Sequence, residues 1–222
     1  MRAPSALPAP VRRPLAVVAA VSAVVVVVLG VLFANSSTGT PFDVSVRSAL
    51  LDVGAPWRQF SLIVDWTAEP VGGAVVFATL VVVCLRLGHR RAAVLAVAGP
   101  AVTVAVTTAL KPLVGREIND GFLAYPSGHT ATATAVTLIA ALVFVERRKI
   151  GAGKGVLLIA VPTMVAAFVM AWAQVLLNAH YPTDTIGGFF AAFAVVPPTA
   201  WVIDRIADHH AANRSSRDSR MP

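Results

Sequence analysis

Residues 15–34 read LAVVAAVSAVVVVVLGVLFA. The run carries no charge and is about as long as an α-helix needs to be to cross roughly 30 Å of hydrocarbon. It is continuously apolar rather than alternating, which excludes a strand of a membrane barrel. Arg12 and Arg13 precede it as they would precede the core of a secretion signal, but the run exceeds the roughly 7–15 residues of such a core. We read it as an uncleaved first span.

Five further blocks repeat the pattern: Val71–Leu85, Ala92–Leu110, Thr130–Val145, Val156–Leu177 and Thr185–Ile203. The composition, 57% hydrophobic and 13% charged, is not that of a soluble domain. The expected fold class is therefore all-α, an integral membrane bundle of six transmembrane helices over residues 15–206. A disordered N-terminal segment, 1–14, carries four prolines, and a polar tail, 207–222, is also read as disordered. The long loop 35–70 holds Val44, Val46, Leu50, Leu51, Val53, Trp57 and Phe60, which can line an interfacial helix or pack against the bundle.

Charge sorts the loops. Lys and Arg accumulate on the cytoplasmic side of span ends. Arg2, Arg12, Arg13, Arg86, Arg90, Arg91, Arg147, Arg148, Lys149, Lys154, Arg205, Arg214, Arg217 and Arg220 all fall on one side, 14 of the 18 basic residues. The other side receives Arg47, Arg58, Lys111 and Arg116, with Asp43, Asp52, Asp65, Glu69, Glu117, Asp120 and Asp184, which are 7 of the 11 acids. Both termini are thus expected in the cytoplasm, in a multi-pass protein of a plasma membrane. The net charge of +7 is accounted for by these flanking residues facing anionic lipid, and no nucleic-acid motif is present. The single cysteine, Cys84, excludes an intramolecular disulfide and reads as a small buried residue.

Three segments on the outer side carry chemistry: Lys111 to Arg116, Tyr125-Pro126-Ser127-Gly128-His129, and Asn178 to Asp184. His89, His209 and His210 fall among cytoplasmic basic residues, where they read as surface or head-group contacts. His129 and His180 both fall at outer span ends, and ionisable groups at membrane depth are usually functional. Lys111 and Arg116 suit a phosphate, Arg being able to bind it bidentately. Ser127 and Gly128 at a helix start offer a hydroxyl and backbone N–H groups to an anion, although Ser127 also reads as a simple N-cap. His180 and Asp184, four residues apart, can share a helical face; the carboxylate would orient the imidazole for attack on phosphorus, with His129 as the acid opposite.

These residues resemble the type-2 phosphatidic acid phosphatases. Lys111 looks like the lysine of that family's first motif, Pro126-Ser127-Gly128-His129 matches the second, and His180-Tyr181-Pro182-Thr183-Asp184 looks like the end of the third. The resemblance implies a six-span membrane lipid phosphatase in which His180 is the nucleophile, Asp184 its orienter and His129 the general acid. Lys111, Ser127 and the Gly128 N–H would bind phosphate, and neither a metal nor another cofactor is implied. Two positions depart from the pattern. Ile118-Asn119 stand where the first motif has Arg-Pro, with Arg116 two residues earlier, and Ala173-Gln174 stand where the third motif opens with Ser-Arg. Gln174 can donate hydrogen bonds to a phosphate oxygen but supplies no charge.

The substrate expected is a lipid phosphate or diphosphate whose tail stays in the bilayer. Fifteen arginines against three lysines, with abundant alanine and valine, point to a GC-rich bacterial genome, in which a polyprenyl carrier lipid of the cell envelope is the favoured substrate. The alternatives are a weakened or inactive relative that binds or transports lipid phosphate, a phosphotransferase, and a scaffold subunit. No protein partner is indicated.

Overall fold

The computed structural model describes residues 4–51, 53–119 and 121–218. Arg2, Asp52, Asp120 and Arg220, counted above, lie outside them. The chain is helical almost throughout: α1 Arg12–Leu32, α2 Pro41–Leu51, α3 Ala55–Trp66, α4 Pro70–Arg86, α5 Arg90–Val114, α6 Gly128–Arg148, α7 Ala152–Leu176 and α8 Pro182–Asp218. A short antiparallel hairpin, β1 Glu117–Ile118 and β2 Phe122–Leu123, interrupts the helices and pairs Ile118 with Phe122.

Local sequence sets the ends. Pro41, Pro70 and Pro182 open their helices, where a missing N–H costs nothing. Gly115, at φ 64°, closes α5 in the left-handed region that glycine adopts freely, its N–H bonded to the Lys111 carbonyl at 2.9 Å. Pro100, Pro112, Pro162, Pro197 and Pro198 lie within helices, a common feature where packed neighbours satisfy the freed carbonyls.

Five helices among the described residues are long and apolar enough to cross a membrane: α1, α5, α6, α7 and α8. The remaining expected span, Val71–Leu85, is α4, 17 residues long. It qualifies together with α3, from which it is bent by 61°. The chain is a multi-pass membrane protein. Helix α8 runs against α1, α5 and α6, and α7 lies along α6. Leu95, Leu138, Ile139, Leu142, Ile159 and Val196 close the core between them, while many valines of α1 face outward, as they should toward lipid.

The structure differs from expectation at both ends of the chain. Residues 4–14 are docked: Ala6, Leu7 and Val11 are buried, and the Ala6 and Leu7 amides donate to the Asp204 carboxylate at 2.9 and 3.0 Å. A buried acid needs donors, and the N-terminal backbone supplies two of them. Residues 207–218 continue α8, with 208–213 exposed. His89, expected at the surface, is buried, and burial holds its pKa below the ordinary histidine value. Cys84 is buried and free, as expected.

Within 35–70 the described residues form two helices, α2 and α3. Helix α2 packs on α7 and α8, and α3 packs on α7, yet Phe42, Val44, Trp57 and Phe60 stay exposed. The two helices bring Asp43, Asp65 and Glu69 to the end of the bundle where α5, α6, α7 and α8 present the candidate residues.

Candidate active site

The third segment forms the base of the site. Asp184 sits in the first turn of α8, fully buried, and its Oδ2 accepts the Tyr181 N–H at 2.9 Å, as in a capping box. Its backbone carbonyl accepts the Ser127 N–H at 3.0 Å, which ties the second segment to the third. Two glycines make that approach possible. A Cβ on Gly187 would fall 2.3 Å from the Tyr125 ring, and one on Gly188 would fall 2.3 Å from the Ser127 carbonyl oxygen. Any side chain at either position would push α8 away from the Tyr125–Ser127 turn.

His180 precedes this turn and is 6% exposed. Its Nδ1 lies 3.7 Å from Asp184 Oδ2, too far for a hydrogen bond, and has no other partner among the described residues. Burial lowers its pKa, and Asp184 only partly offsets this, so at neutral pH the imidazole is uncharged. Lys111 and His129 are close enough that their charges act in the same direction as burial. The third and second segments and Lys111 therefore converge, with Nδ1 turned toward Asp184 and Nε2 left for chemistry.

Arg116 takes a different place from the one expected. Its guanidinium is fully buried; Nη1 donates to Asp184 Oδ1 at 2.6 Å and to Thr183 Oγ1 at 2.7 Å, and Nη2 donates to Asp43 Oδ2 at 2.9 Å. The Phe33 and Tyr181 rings flank it, 3.9 and 4.7 Å from Cζ. The arginine holds two buried acids and has no face open to a phosphate. Asp43 also accepts the Thr183 N–H and hydroxyl, both at 2.9 Å. Its burial would raise the carboxyl pKa, but bonds from Thr183 and Thr40 outweigh it and hold the group below its ordinary value.

Ile118, at the arginine position of the first motif, is 2% exposed in the hairpin and packs with Ala124 and Tyr181. It plugs the base with apolar surface. Lys111, half-buried in the last turn of α5, makes no side-chain hydrogen bond or ion pair among the described residues and senses the charge of Asp184. Its ammonium is the site's unspent cation.

The second segment starts α6. Ser127 is buried and caps the helix, its Oγ accepting from the Thr130 N–H at 3.3 Å and the Thr130 hydroxyl at 3.2 Å. The N-cap reading is correct, and it leaves the serine proton unspent. Gly128 follows, half-buried, and the nearest atom to a Cβ placed there would be Thr107 Oγ1 at an ordinary 3.7 Å.

His129 faces an acidic edge that sequence alone did not reveal. Its Nε2 lies 3.3 Å from Glu69 Oε1 and 3.4 Å from Asp65 Oδ1. Gln174, 1% exposed on α7, donates its Nε2 to Asp65 Oδ1 at 2.6 Å, so it orients a carboxylate rather than facing a phosphate. The turn between α3 and α4 gathers two of the outer acids beside His129. Asp65, Glu69 and His129 offer one ligand atom each within 4.8 Å of one another, the group among the described residues that could hold a cation. The signal was faint: Asp65 and Glu69 are four apart in a loop that composition marked only as amphipathic.

An apolar groove of about 560 Å³ opens beside the site. Phe42, Phe168, Trp172, Ile186 and Phe190 line it, and it reaches Thr130, the residue after His129, and Thr185, the residue after Asp184.

Residues 106–207, which contain all eight expected site residues, match the PAP2 superfamily. The fold is similar to the crystal structure of a transmembrane PAP2-type phosphatidylglycerolphosphate phosphatase from Bacillus subtilis, with a TM-score of 0.66 at 14% identity. That alignment covers 86% of this chain and 96% of the other. No curated protein sequence gives a significant match.

Proposed function

We propose, taking residues 106–207 as PAP2-superfamily sequence on a PAP2-type membrane phosphatase fold, that this protein hydrolyses a lipid phosphate or diphosphate through a phosphohistidine. The observation that carries the reading is His180, buried and uncharged beside a buried Asp184, with Lys111 and His129 near enough to act on it. In the first step His180 Nε2 attacks phosphorus, the bond to the lipid-side oxygen breaks, and His129 gives that oxygen a proton. Asp184 faces the positive charge that develops on the ring. In the second step His129 takes a proton from water, the oxygen attacks phosphorus, the P–N bond breaks, and phosphate leaves. Lys111, the Ser127 hydroxyl and the Gly128 N–H hold the phosphate oxygens.

The site lies level with lipid head groups, and the apolar groove offers a hydrocarbon tail a place beside it. A polyprenyl carrier lipid on the outer face of a bacterial plasma membrane fits this setting, with both termini in the cytoplasm. The mechanism needs no metal, because nucleophile and acid are both side chains. The Asp65, Glu69 and His129 trio is where that part of the reading can fail, and phosphate release that survives a chelator is its check.

Burial of Arg116 and Ile118 and the engagement of Gln174 favour a second reading, a lipid-phosphate-binding protein or slow phosphotransferase with a weakened anion grip. Purified protein, offered polyprenyl diphosphate and phosphatidate, separates the two. Released phosphate that disappears in His180→Ala, with acid-labile phosphate trapped on the wild type, supports hydrolysis. Equal release by wild type and variant sinks it.

A further inference from the structure

The end of the bundle opposite His180 holds a second apolar groove, about 530 Å³ in volume, between α1 and α8. That size is within the range of ligand sites, about 300–1,000 Å³. Its walls are Ala16, Ala20 and Ala23 of α1 and Pro197 and Pro198 of α8, so that small and ring-closed side chains leave an open furrow along the lipid-facing surface. Arg12 and Arg13 stand at one end of it, beside Trp201.

The charges there are not balanced. Asp204, the nearest acid, already accepts the Ala6 and Leu7 amides and pairs with Arg91 at 3.3 Å; Asp208 pairs with the same arginine at 2.7 Å. Arg12 pairs with Asp204 only at 3.8 Å and donates Nη2 to the Leu7 carbonyl at 3.3 Å, and its Nε is buried without a partner among the described residues. Arg13 is exposed and has no side-chain partner among the described residues. Arg205 lies over the Trp201 ring, 5.1 Å from its centre, which adds a third guanidinium to the rim.

We propose that this groove binds one anionic phospholipid, its acyl chain between α1 and α8 and its phosphate on Arg12 and Arg13. The apolar furrow alone would accept any lipid tail, and the exposed Arg13, with Arg12 only weakly paired to an acid it shares with Arg91, selects an anionic head group. Trp201, beside these arginines, is a residue type that favours the membrane–water boundary. The bound lipid is not a substrate. Helix α1 spans 21 residues between this rim and the end that carries Phe33, about 30 Å, so its head group is a hydrocarbon thickness away from His180. It fastens the docked N-terminal segment and α1, whose partner in the bundle is chiefly α8.

The test is binding of phosphatidylglycerol and phosphatidylcholine to delipidated protein in detergent, read by native mass spectrometry and by the melting temperature. Phosphatidylglycerol is expected to bind more tightly and to raise the melting temperature. The Arg12→Gln, Arg13→Gln double variant is expected to bind it about 30-fold more weakly, about fivefold for each charge near an anionic surface. Ala20→Phe, which fills the furrow with an apolar ring and leaves the charges in place, should lose the same lipid. His180→Ala should keep it, which separates this site from the phosphatase site. Equal affinity for the two lipids overturns the proposal, and so does wild-type binding by Ala20→Phe.

Discussion

Beneath His180 the charges of the base are spoken for: Arg116 lies between Asp43 and Asp184, all three fully buried, and two threonines and an amide complete the set. Around His129 the balance is reversed, because two carboxylates approach one imidazole that is 27% exposed. The first half is built as part of the protein's interior and the second as the rim of a cleft. A nucleophile has to be placed once and held, whereas an acid that later serves as a base must meet the leaving group and then water. The difference predicts that damage to the His180 half costs both fold and rate, while damage to the His129 half costs rate alone.

Arg116→Met is the strongest way to break that contrast. Removing one partner from a buried ion network leaves the others uncompensated, at a cost of about 3–5 kcal/mol. Asp43 and Asp184 would both be stranded, so melting in detergent should drop sharply and phosphate release should vanish. A variant that melts like wild type would mean that the sealed base is not what holds α2, the hairpin and α8 together.

His129→Ala should sharpen the contrast from the other side. Loss of a general acid typically costs about 10²–10⁴-fold in rate. The ring is partly exposed and its contacts with the two carboxylates are long, so the melting temperature should scarcely move. A large fall in stability would place His129 among the structural residues.

The sequence disclosed the spans and the motifs because both are local signals. A run of twenty apolar residues or a Pro-Ser-Gly-His needs no knowledge of the fold, and α1, α5, α6, α7 and α8 match the expected blocks to within a few residues except where α8 runs on past Ile203. The partners of those residues were hidden because they come from far along the chain. Asp43 reaches Thr183 across 140 residues, and Gln174 reaches Asp65 across 109. Arg116 looked like a phosphate ligand because an arginine two residues from a motif position is locally plausible; only the docking of α2 reveals that its fork is filled. Ile118 carried the one local hint, since a β-branched residue there suits the hairpin that now seals Tyr181.

The pH profile tests the sealed half without disturbing its packing. In the proposed mechanism the uncharged form of His180 is the nucleophile, and burial lowers its pKa below the ordinary value of 6.5. The rate should therefore persist as pH falls below about 6.5, where an exposed histidine would already be half protonated, and be lost only as pH passes the depressed value. Asp184 works against burial, raising that value. Asp184→Asn should move the acid limb of kcat/KM lower still while slowing the reaction at every pH. An acid limb in wild type above 6.5 would show that His180 is not the group that must be neutral.

The smallest expected effect separates the two duties of Ser127. As a cap its oxygen accepts from Thr130, and Ser→Ala at such a position costs about 1 kcal/mol, whereas Ser→Gly costs only a few tenths. The hydroxyl proton is not used in that cap and is free for a phosphate oxygen. Ser127→Gly should then melt close to wild type yet show a lower kcat/KM, while Ser127→Ala should lose a similar share of kcat/KM and melt measurably lower. If Ser127→Gly keeps full kcat/KM, the serine only starts α6, and the phosphate is held by Lys111 and the backbone of Gly128. That outcome would move the anion grip further onto the open half of the site, where it has the fewest charges to draw on.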